Sequence, residues 1–379
     1  MSNIMKKLTF FAVVVASAIF LFSCEKKKTE ILIGIGGPHT GANAAFGEQL
    51  WKGSEQAAND INEAGGINGV KVRVIKADDA CEPKQAVSVA NKMVDQDKVD
   101  AIVGHFCSSS TIPATEIYSK ANIVSITPAS TNPQVTERGL PTVFRTCGRD
   151  DQQGEVAGDF IVNKMNLKKI AVIHDQDTYG KGLADATKAK LESLGAEIVL
   201  YEGLTRGEKD FNALVSKIKT SEAEAAYFGG LHTEGGILVR QMREQGLEIP
   251  FISGDGIVSE EFFNTSGGKT ENVYHTFSPD PLLIPEGKAV VDKFNAAGYK
   301  PEGYTLLSYA AMQILAEGIK NSLKDNKIDN VALRDYIHGN QFSTVLGDIS
   351  YDEKGDPSGK WAGYVVYKWE GNTYKMLDN

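Results

Sequence analysis

From residue 31 onward, short apolar runs rich in β-branched residues alternate with longer amphipathic segments. Several short runs, such as IAVI at 170–173, are apolar at consecutive positions, which is typical of strands covered by helices on both faces. This alternation predicts an α/β fold with largely parallel sheets. Because 379 residues are many for one hydrophobic core, we expect two domains or one large α/β unit.

Parallel sheets bind ligands in the loops that follow the carboxyl ends of their strands, so the positions of the strands also predict a site. The pattern predicts strands at 31–37, 71–79, 101–105, 122–128, 168–175, 197–203, 225–230, 250–255 and 272–277. It predicts helices over 46–63, 83–96, 150–165, 179–194, 209–219, 233–245, 286–297 and 304–320. The loops after the strands contain mainly small and hydroxyl-bearing residues, which indicates the lining of a binding site rather than a catalytic cluster.

The N-terminus has the layout of an export signal. Lys6 and Lys7 precede an apolar run at 8–22, which is short for a membrane span. The sequence LFSC at 21–24 resembles the lipobox of bacterial lipoproteins, which implies removal of residues 1–23 and a lipid on Cys24. Residues 24–30 would then form a polar tether, and an uncleaved membrane anchor is the alternative.

Net charge and cysteine content further limit the class of protein to which this chain can belong. A net charge of −9 gives no basis for binding phosphate backbones, so nucleic acid is excluded as a partner. An exported protein meets an oxidising compartment, where cysteine pairs are stable. With Cys24 assigned to lipid, Cys81, Cys107 and Cys147 remain, and at most one bridge can form among them.

Motifs for metal, nucleotide or hydrolytic chemistry are absent or incomplete. The six histidines stand apart with no HExxH or paired CxxC motif, so we expect no metal and no cofactor. GIGGPHTG at 34–41 has His39 where a dinucleotide loop needs glycine, and GGKT at 267–270 has Phe263 where a P-loop needs glycine. No serine lies in a GxSxG elbow.

The segment GHFCSSST at 104–111 concentrates reactive side chains in a strand-end loop. For His105 we favour a structural role at the strand end, and for Cys107 one end of a bridge. The serines and the backbone N–H groups at the start of the next helix suit a ligand carboxylate. Capping of that helix by a serine is the alternative, and the two roles are compatible.

From Ile31 almost to its end, the chain resembles the leucine/isoleucine/valine-binding proteins that serve ABC transporters. The matching segments, in chain order, are DINEAGGINGVKV, DDACEPKQAVSVANKMV, VGHFCSSSTIPA, ITPASTNPQVTERG, FRTCGRDDQQG, IAVIHDQDTYGKGLA, GEKDF and YDEKGD. The resemblance implies a two-lobed periplasmic binding protein-like fold, each lobe a parallel-rich sheet flanked by helices, with three crossovers. One lobe would take 30–149 and 278–356, and the other 150–277 and 357–379.

The resemblance also implies a set of site residues. Cys81 and Cys107 match the family's disulfide, which would hold Ser108 in place. Ser108, with Ala129, Ser130 and Thr131, would bind the ligand's carboxylate and ammonium, and Asp255 would be the acidic partner of the ammonium.

Three aromatic residues and Asp150 complete the implied site. Phe46 and Tyr179 match aromatic positions around the ligand, and Phe106 would form a pocket wall. For Asp255 the alternative is a helix cap, and for Tyr179 a packing role. Asp150 is a weaker ligand candidate, for which we favour a helix cap.

Two positions depart from the family. Leu231 replaces a tyrosine whose hydroxyl reaches the ligand carboxylate, and loss of that hydrogen bond would weaken binding by about 1.5–3 kcal/mol. The pocket would then be larger or more apolar. Cys147 replaces a hydroxyl-bearing residue, and we expect a buried, unreactive thiol.

Together these features predict a lipid-anchored, monomeric receptor on the periplasmic side of a bacterial membrane. It would bind a branched-chain or other aliphatic L-amino acid between its lobes and deliver it, in the closed form, to an ABC permease. An amide, a urea or another amino acid is the alternative ligand. A secreted hydrolase using Ser108 or Cys107 is the alternative of another class.

Overall fold

The structure, a computed structural model, describes residues 28–325, 327–358 and 363–377. The predicted signal peptide and Cys24 lie outside these residues. The strands are β1 (Glu30–Gly37), β2 (Lys71–Asp78), β3 (Ala101–Val103), β4 (Val124–Thr127), β5 (Val143–Arg145), β6 (Lys169–His174), β7 (Glu197–Gly203), β8 (Ala225–Gly229), β9 (Phe251–Ser253), β10 (Val273–Phe277), β11 (Leu323–Lys324), β12 (Lys327–Ile328), β13 (Phe342–Thr344), β14 (Gly347–Tyr351), β15 (Pro357–Ser358), β16 (Val365–Glu370) and β17 (Thr373–Met376).

The helices lie between most of the strands. They are α1 (Ala44–Glu63), α2 (Pro83–Lys92), α3 (Ser108–Lys120), α4 (Asp150–Asp159), α5 (Thr178–Ser193), α6 (Asn212–Thr220), α7 (His232–Glu244), α8 (Glu260–Thr265), α9 (Lys288–Ala296), α10 (Thr305–Ser322) and α11 (Asn330–Gly339). Single π-helical turns extend α2 through Asp97 and α4 through Lys164. All nine predicted strands and all eight predicted helices are present in the structure, to within a few residues.

Two large sheets form the frames of two lobes. The first sheet has five parallel strands in the order β2-β1-β3-β4-β5. The second has seven strands in the order β17-β16-β10-β9-β8-β6-β7, of which β7, β6, β8, β9 and β10 are parallel. The β16–β17 hairpin adds to β10 in the antiparallel direction. We call the units built on these sheets the first and second lobes.

Burial on both faces explains the consecutive apolar residues of the strands. In β1, Ile31, Ile33 and Ile35 pack into the core under α1 and α10, whereas Leu32 points to a separate core under α2 and α3. In β6, Ile170 and Val172 face one core while Ala171 and Ile173 face another. Alternate side chains therefore enter opposite cores, as a parallel sheet between two helix layers requires.

The predicted pattern missed short elements near the sheet edges. β5, α8, α11 and the strands from β11 to β17 were not predicted. Most of these elements are two to six residues long and carry too few apolar positions to show a period. The hairpin at β16–β17 is stabilised by pairing with β10 rather than by its own sequence pattern.

A buried ion cluster joins the end of β5 to the segment before β15. Asp356 Oδ1 lies 2.7 Å from Arg145 Nε, and Asp356 Oδ2 lies 2.6 Å from Arg149 Nη1. Thr136 Oγ1 donates to Asp356 Oδ1 at 2.8 Å. Arg145 is fully buried, so one carboxylate offsets much of the cost of two desolvated guanidinium groups.

Replacing this carboxylate will therefore be costly. We expect Asp356→Ala to lower the free energy of unfolding by about 3–5 kcal/mol, because a buried guanidinium loses its counter-charge. Asp151→Ala removes an exposed carboxylate from the same Arg149 and should cost less than about 1 kcal/mol. Urea unfolding followed by circular dichroism measures both; equal losses in the two variants would contradict the assigned role of Asp356.

His275 makes the second lobe sensitive to acid. Its fully buried ring stacks on Tyr367 at a centroid distance of 5.1 Å, and neither ring nitrogen has a hydrogen-bond partner among the described residues. Burial lowers the pKa of His275 from 6.5 to about 3. Between pH 6.5 and pH 3, His275 is protonated in the unfolded chain and neutral in the folded chain. The free energy of unfolding therefore falls as the pH drops from 6.5 towards 3.

His275→Phe should flatten this decline because phenylalanine keeps the stacked ring and cannot take a proton. At pH 5 the variant should have lost about 2 kcal/mol less stability, relative to its own value at pH 7.5, than the parent protein. His232, whose pKa burial lowers to about 4, retains part of the slope in both proteins. Urea unfolding at the two pH values tests this, and parallel losses would show that His275 does not carry the effect.

Candidate functional site

The two lobes meet over a small cavity at the carboxyl ends of their strands. The order of the strands reverses between β1 and β3 in the first sheet and between β6 and β8 in the second. Such a reversal is called a switch point, and open α/β sheets bind their ligands there. The cavity has a volume of about 10 Å³. It is lined by Phe106, Cys107, Ser108, Ala129, Tyr179, Leu231, Asp255, Gly256 and Tyr304.

Hydrogen bonds beside the cavity cross from one lobe to the other. Asn132 Nδ2 donates to the Thr178 carbonyl at 2.9 Å, and Thr233 Oγ1 donates to the Ala42 carbonyl at 3.3 Å. The structure is therefore a closed form in which the cavity is shut between the lobes.

Ser108 opens helix α3 at the wall of the cavity. Its predicted role as a cap is wrong: Cys107 occupies the N-cap position, no side chain caps the helix, and Ser108 is the first helical residue. Its Oγ instead accepts a hydrogen bond from the Asn132 N–H at 3.3 Å. The positive end of a thirteen-residue helix and the Ser108 hydroxyl thus face the cavity together, which suits an anion.

The loop after β4 is pinned to the loop after β3 by hydroxyl groups. Thr127 Oγ1 accepts from the Ser130 N–H at 2.9 Å and donates to the His105 carbonyl at 2.7 Å. Ser130 Oγ donates to the Phe106 carbonyl at 2.8 Å. Ala129 lines the cavity, whereas Ser130 serves to hold the two loops together.

His105 has the structural role that the sequence predicted. The ring is fully buried, with Nδ1 hydrogen-bonded to Asp79 and Nε2 to the Tyr118 hydroxyl at 2.9 Å. Both ring nitrogens are therefore occupied, and His105 acts as a fixed support for the loop.

The cysteines divide into one pair and one thiol. Cys81 and Cys107 form a disulfide with a Cα–Cα distance of 5.5 Å, which ties the loop after β2 to the residue before Ser108. Cys147 is free and buried, as predicted, and burial raises the pKa of its thiol. Such a thiol is a poor nucleophile.

Asp255 is the carboxyl group of the second lobe that lines the cavity. Its Oδ1 accepts from the Tyr179 hydroxyl at 2.8 Å, and its Oδ2 accepts from the Tyr304 hydroxyl at 2.8 Å. Burial raises the pKa of Asp255, and the two phenol hydrogen bonds oppose that rise. The alternative role as a helix cap is wrong, because Ser259 Oγ caps α8 by accepting from the Glu261 N–H.

Tyr179 has a polar function in addition to packing. Its hydroxyl donates to Asp255 and also accepts from the Gly256 N–H at 2.9 Å. The hydroxyl therefore uses both its donor and its acceptor capacity to shape the 255–256 turn.

Aromatic rings and Leu231 form the apolar part of the site. Phe106 lines the cavity and stacks on Phe46 at 4.3 Å, so Phe46 lies one layer behind the wall. The Phe106 ring meets the edge of Tyr304 at 5.0 Å. Leu231, at the N-cap position of α7, lines the cavity without contributing a polar group.

Thr131 and Asp150 are placed outside the cavity wall. The Thr131 carbonyl accepts from the Asp150 N–H at 2.9 Å. The predicted cap at Asp150 is wrong, because α4 starts at Asp150 itself, Arg149 holds the N-cap position and no side chain makes a capping bond. Burial, followed by the charge of Asp255, raises the pKa of Asp150 well above its ordinary value.

Sequence reasoning missed Tyr304 and Gly256. A tyrosine before an apolar helix gives the same signal as a core residue, and nothing in the local pattern points its hydroxyl towards Asp255. The signal for Gly256 was stronger, since it lies in the GDG segment after a predicted strand.

Two other kinds of site are absent from the described residues. Within residues 28–325, 327–358 and 363–377, no group of three or more histidine, cysteine or carboxylate side chains is arranged to hold a metal ion. In the same parts of the chain, no helix has the length and hydropathy of a membrane span.

Two sheets with a shared closed cavity at their switch points define a two-lobed binding protein. The sequence profile of the periplasmic binding protein family matches residues 30–372. The chain therefore belongs to the periplasmic binding protein family.

Relatives and solved structures agree with that assignment. The chain is 61% identical, over 90% of each sequence, to an amino acid binding protein of Pseudomonas aeruginosa. It is 50% identical, over 96% of each, to Leu/Ile/Val-binding protein homolog 1 of Brucella suis. A branched-chain amino acid substrate-binding protein from Streptococcus pneumoniae, solved with isoleucine, superposes with a TM-score of 0.81 at 29% identity, covering 92% of this chain and 99% of that one.

Loss of the disulfide should destabilise the first lobe. The bridge spans 26 residues, for which chain entropy predicts about 3 kcal/mol of stabilisation. The double variant Cys81→Ser, Cys107→Ser should unfold at a correspondingly lower urea concentration. Dithiothreitol should lower the midpoint of the parent protein to that of the variant and leave the variant unchanged; an unaltered parent midpoint would contradict the prediction.

Proposed function

We propose that this protein captures a branched-chain or other aliphatic L-amino acid between its lobes and delivers it to an ABC transporter permease. The observation that carries the proposal is the polarity of one small closed cavity. A helix N-terminus with Ser108 faces it from the first lobe, and the Asp255 carboxylate faces it from the second. The remaining lining is largely apolar.

A zwitterion fits this arrangement for electrostatic reasons. Burying a carboxylate or an ammonium is costly unless each finds partners, and a cavity with one partner of each sign offsets both costs. The ligand carboxylate would bind Ser108 Oγ and the N–H groups at the start of α3 and in the 129–131 loop. The ligand ammonium would bind Asp255.

The apolar lining supports an aliphatic side chain. Phe106, Leu231 and the Tyr304 ring leave no ion-pairing group for a charged side chain. The printed names of the Brucella suis relative and the Streptococcus pneumoniae structure, which refer to leucine, isoleucine and valine or to branched-chain amino acids, support the same class of ligand.

Closure and delivery complete the proposal. The chain would cross between the lobes near residues 150, 278 and 357, and ligand would stabilise the closed form that the permease accepts. A lipid on Cys24 would hold the monomeric receptor at the periplasmic face of the membrane. We propose no catalytic role, because Cys107 is held in a disulfide and His105 is occupied by Asp79 and Tyr118.

The test compares leucine with its 2-oxo acid, which keeps the carboxylate and the side chain but lacks the ammonium. The parent protein should bind leucine much more tightly than the oxo acid in isothermal titration calorimetry. Asp255→Asn should weaken leucine binding by about tenfold or more, because a charge-assisted hydrogen bond contributes about 1.5–3 kcal/mol. It should weaken binding of the oxo acid less, because the oxo acid loses only the effect of the altered phenol hydrogen bonds and has no ammonium contact to lose.

Asp151→Asn is the matched control, because it makes the same carboxylate-to-amide change at an exposed residue that does not line the cavity. It should leave both affinities unchanged. Unaltered leucine affinity in Asp255→Asn would show that no ligand ammonium is held at Asp255. The absence of any heat or thermal shift with leucine, isoleucine and valine would overturn the assigned ligand class.

A further inference from the structure

Tyr304 belongs to the first lobe, but its hydroxyl contacts the second. It directly precedes α10, which packs on α1 and on strands β3 and β4 of the first sheet. Its hydroxyl donates to Asp255 Oδ2 at 2.8 Å and lies 3.1 Å from the Asp255 carbonyl oxygen. Asp255 follows β9 of the second sheet, so this hydrogen bond bridges the two lobes.

Gln49 on α1 contacts both sides of that bridge. Its Oε1 accepts from the Tyr304 N–H at 3.0 Å, and its Nε2 donates to the Val258 carbonyl at 3.4 Å. Because Gln49 is buried, both contacts are sheltered from water. The same first-lobe side chain therefore holds the Tyr304 backbone and the end of the 255–258 turn.

The two tyrosines on Asp255 differ in what they connect. Tyr179, on α5, lies in the second lobe and orients Asp255 within that lobe. Tyr304 approaches the other carboxylate oxygen from the first lobe. Hydrogen bonds to a carboxylate are about twice as strong as those between neutral groups, so the bridge favours closure.

We propose that Tyr304 is a positioning residue that sets ligand affinity by holding Asp255 across the lobe interface and stabilising the closed form before ligand binds. The inference depends on the proposed closure over an amino acid. A carboxylate can accept about four hydrogen bonds, so the ligand ammonium adds to the two phenols rather than replacing them. Less of the binding free energy of the ligand is then spent on closing the lobes, so the apparent affinity rises with the population of the closed form.

The test removes one hydroxyl and keeps the ring. Tyr304→Phe and the parent protein are stripped of ligand by unfolding and refolding, and their radii of gyration are measured by small-angle X-ray scattering. The ligand-free variant should have the larger radius, and its affinity for leucine in calorimetry should be about tenfold lower or more. Saturating leucine should bring both proteins to the same compact radius.

Tyr309→Phe is the matched control. Tyr309 lies in α10, the helix that Tyr304 precedes, and its hydroxyl donates to Asp60 Oδ2 at 2.8 Å within the first lobe. Both variants lose a tyrosine–aspartate hydrogen bond and should melt at lower temperature, but Tyr309→Phe should keep the parent radius and leucine affinity. A purely structural role for Tyr304 would give the same result in both variants.

Three outcomes overturn the inference. An unchanged ligand-free radius in Tyr304→Phe would show that the bridge does not bias closure. Tighter leucine binding would show that the ammonium displaces Tyr304. A larger radius with unchanged leucine affinity would separate the bridge from ligand capture. If leucine fails to bind the parent protein, the proposed ligand is wrong, and the radii of the ligand-free proteins still decide whether Tyr304 favours closure.

Discussion

The buried carboxylate of Asp255 is the interaction on which the rest of the site depends. A carboxylate shut inside a closed cavity is costly unless donors surround it, and two phenol hydroxyls from different lobes meet this need. Their positions require the turn after β9, the first turn of α5 and the start of α10 to converge. The closed arrangement of the lobes and the polarity of the cavity are therefore linked through one side chain.

The side of the cavity proposed to bind the ligand carboxylate is rigid for a different reason. It uses a helix N-terminus and hydroxyl groups, which bring no full charge and must be placed accurately to be useful. The disulfide before Ser108, the buried His105 and the Thr127 and Ser130 hydroxyls all restrain the same two loops. One wall thus holds a charge and the other a fixed set of dipoles.

The fold followed from the sequence wherever burial on two faces imposed a continuous apolar pattern. β1 and β6 are examples, since both send alternate side chains into different cores. The β16–β17 hairpin could not be predicted because its stability comes from pairing with β10, which is distant in sequence. The local pattern of apolar residues indicates which residues are buried. It does not indicate which distant strand a segment will pair with.

The sequence predicted the site about as well as it predicted the fold. The rule on strand ends and the family resemblance identified Ser108, Ala129, Tyr179, Leu231 and Asp255, all of which line the cavity. The capping roles considered for Ser108, Asp150 and Asp255 were wrong by one residue or one turn, because the exact first residue of a helix depends on backbone geometry. Tyr304 was missed because its role depends on a contact between lobes.

For the proposed aliphatic ligands, selectivity would have to come from the apolar walls rather than from the groups that bind the carboxylate and the ammonium. The carboxylate and the ammonium are common to all L-amino acids, so Ser108 and Asp255 cannot distinguish leucine from valine. Phe106, Leu231 and the Tyr304 ring must do so through contacts worth about 1–3 kcal/mol per methylene. Because Phe46 supports Phe106 from behind, a change at Phe46 would alter the shape of the wall without touching the ligand. Tyr304 takes part in both tasks, since its ring forms the wall and its hydroxyl holds the charge.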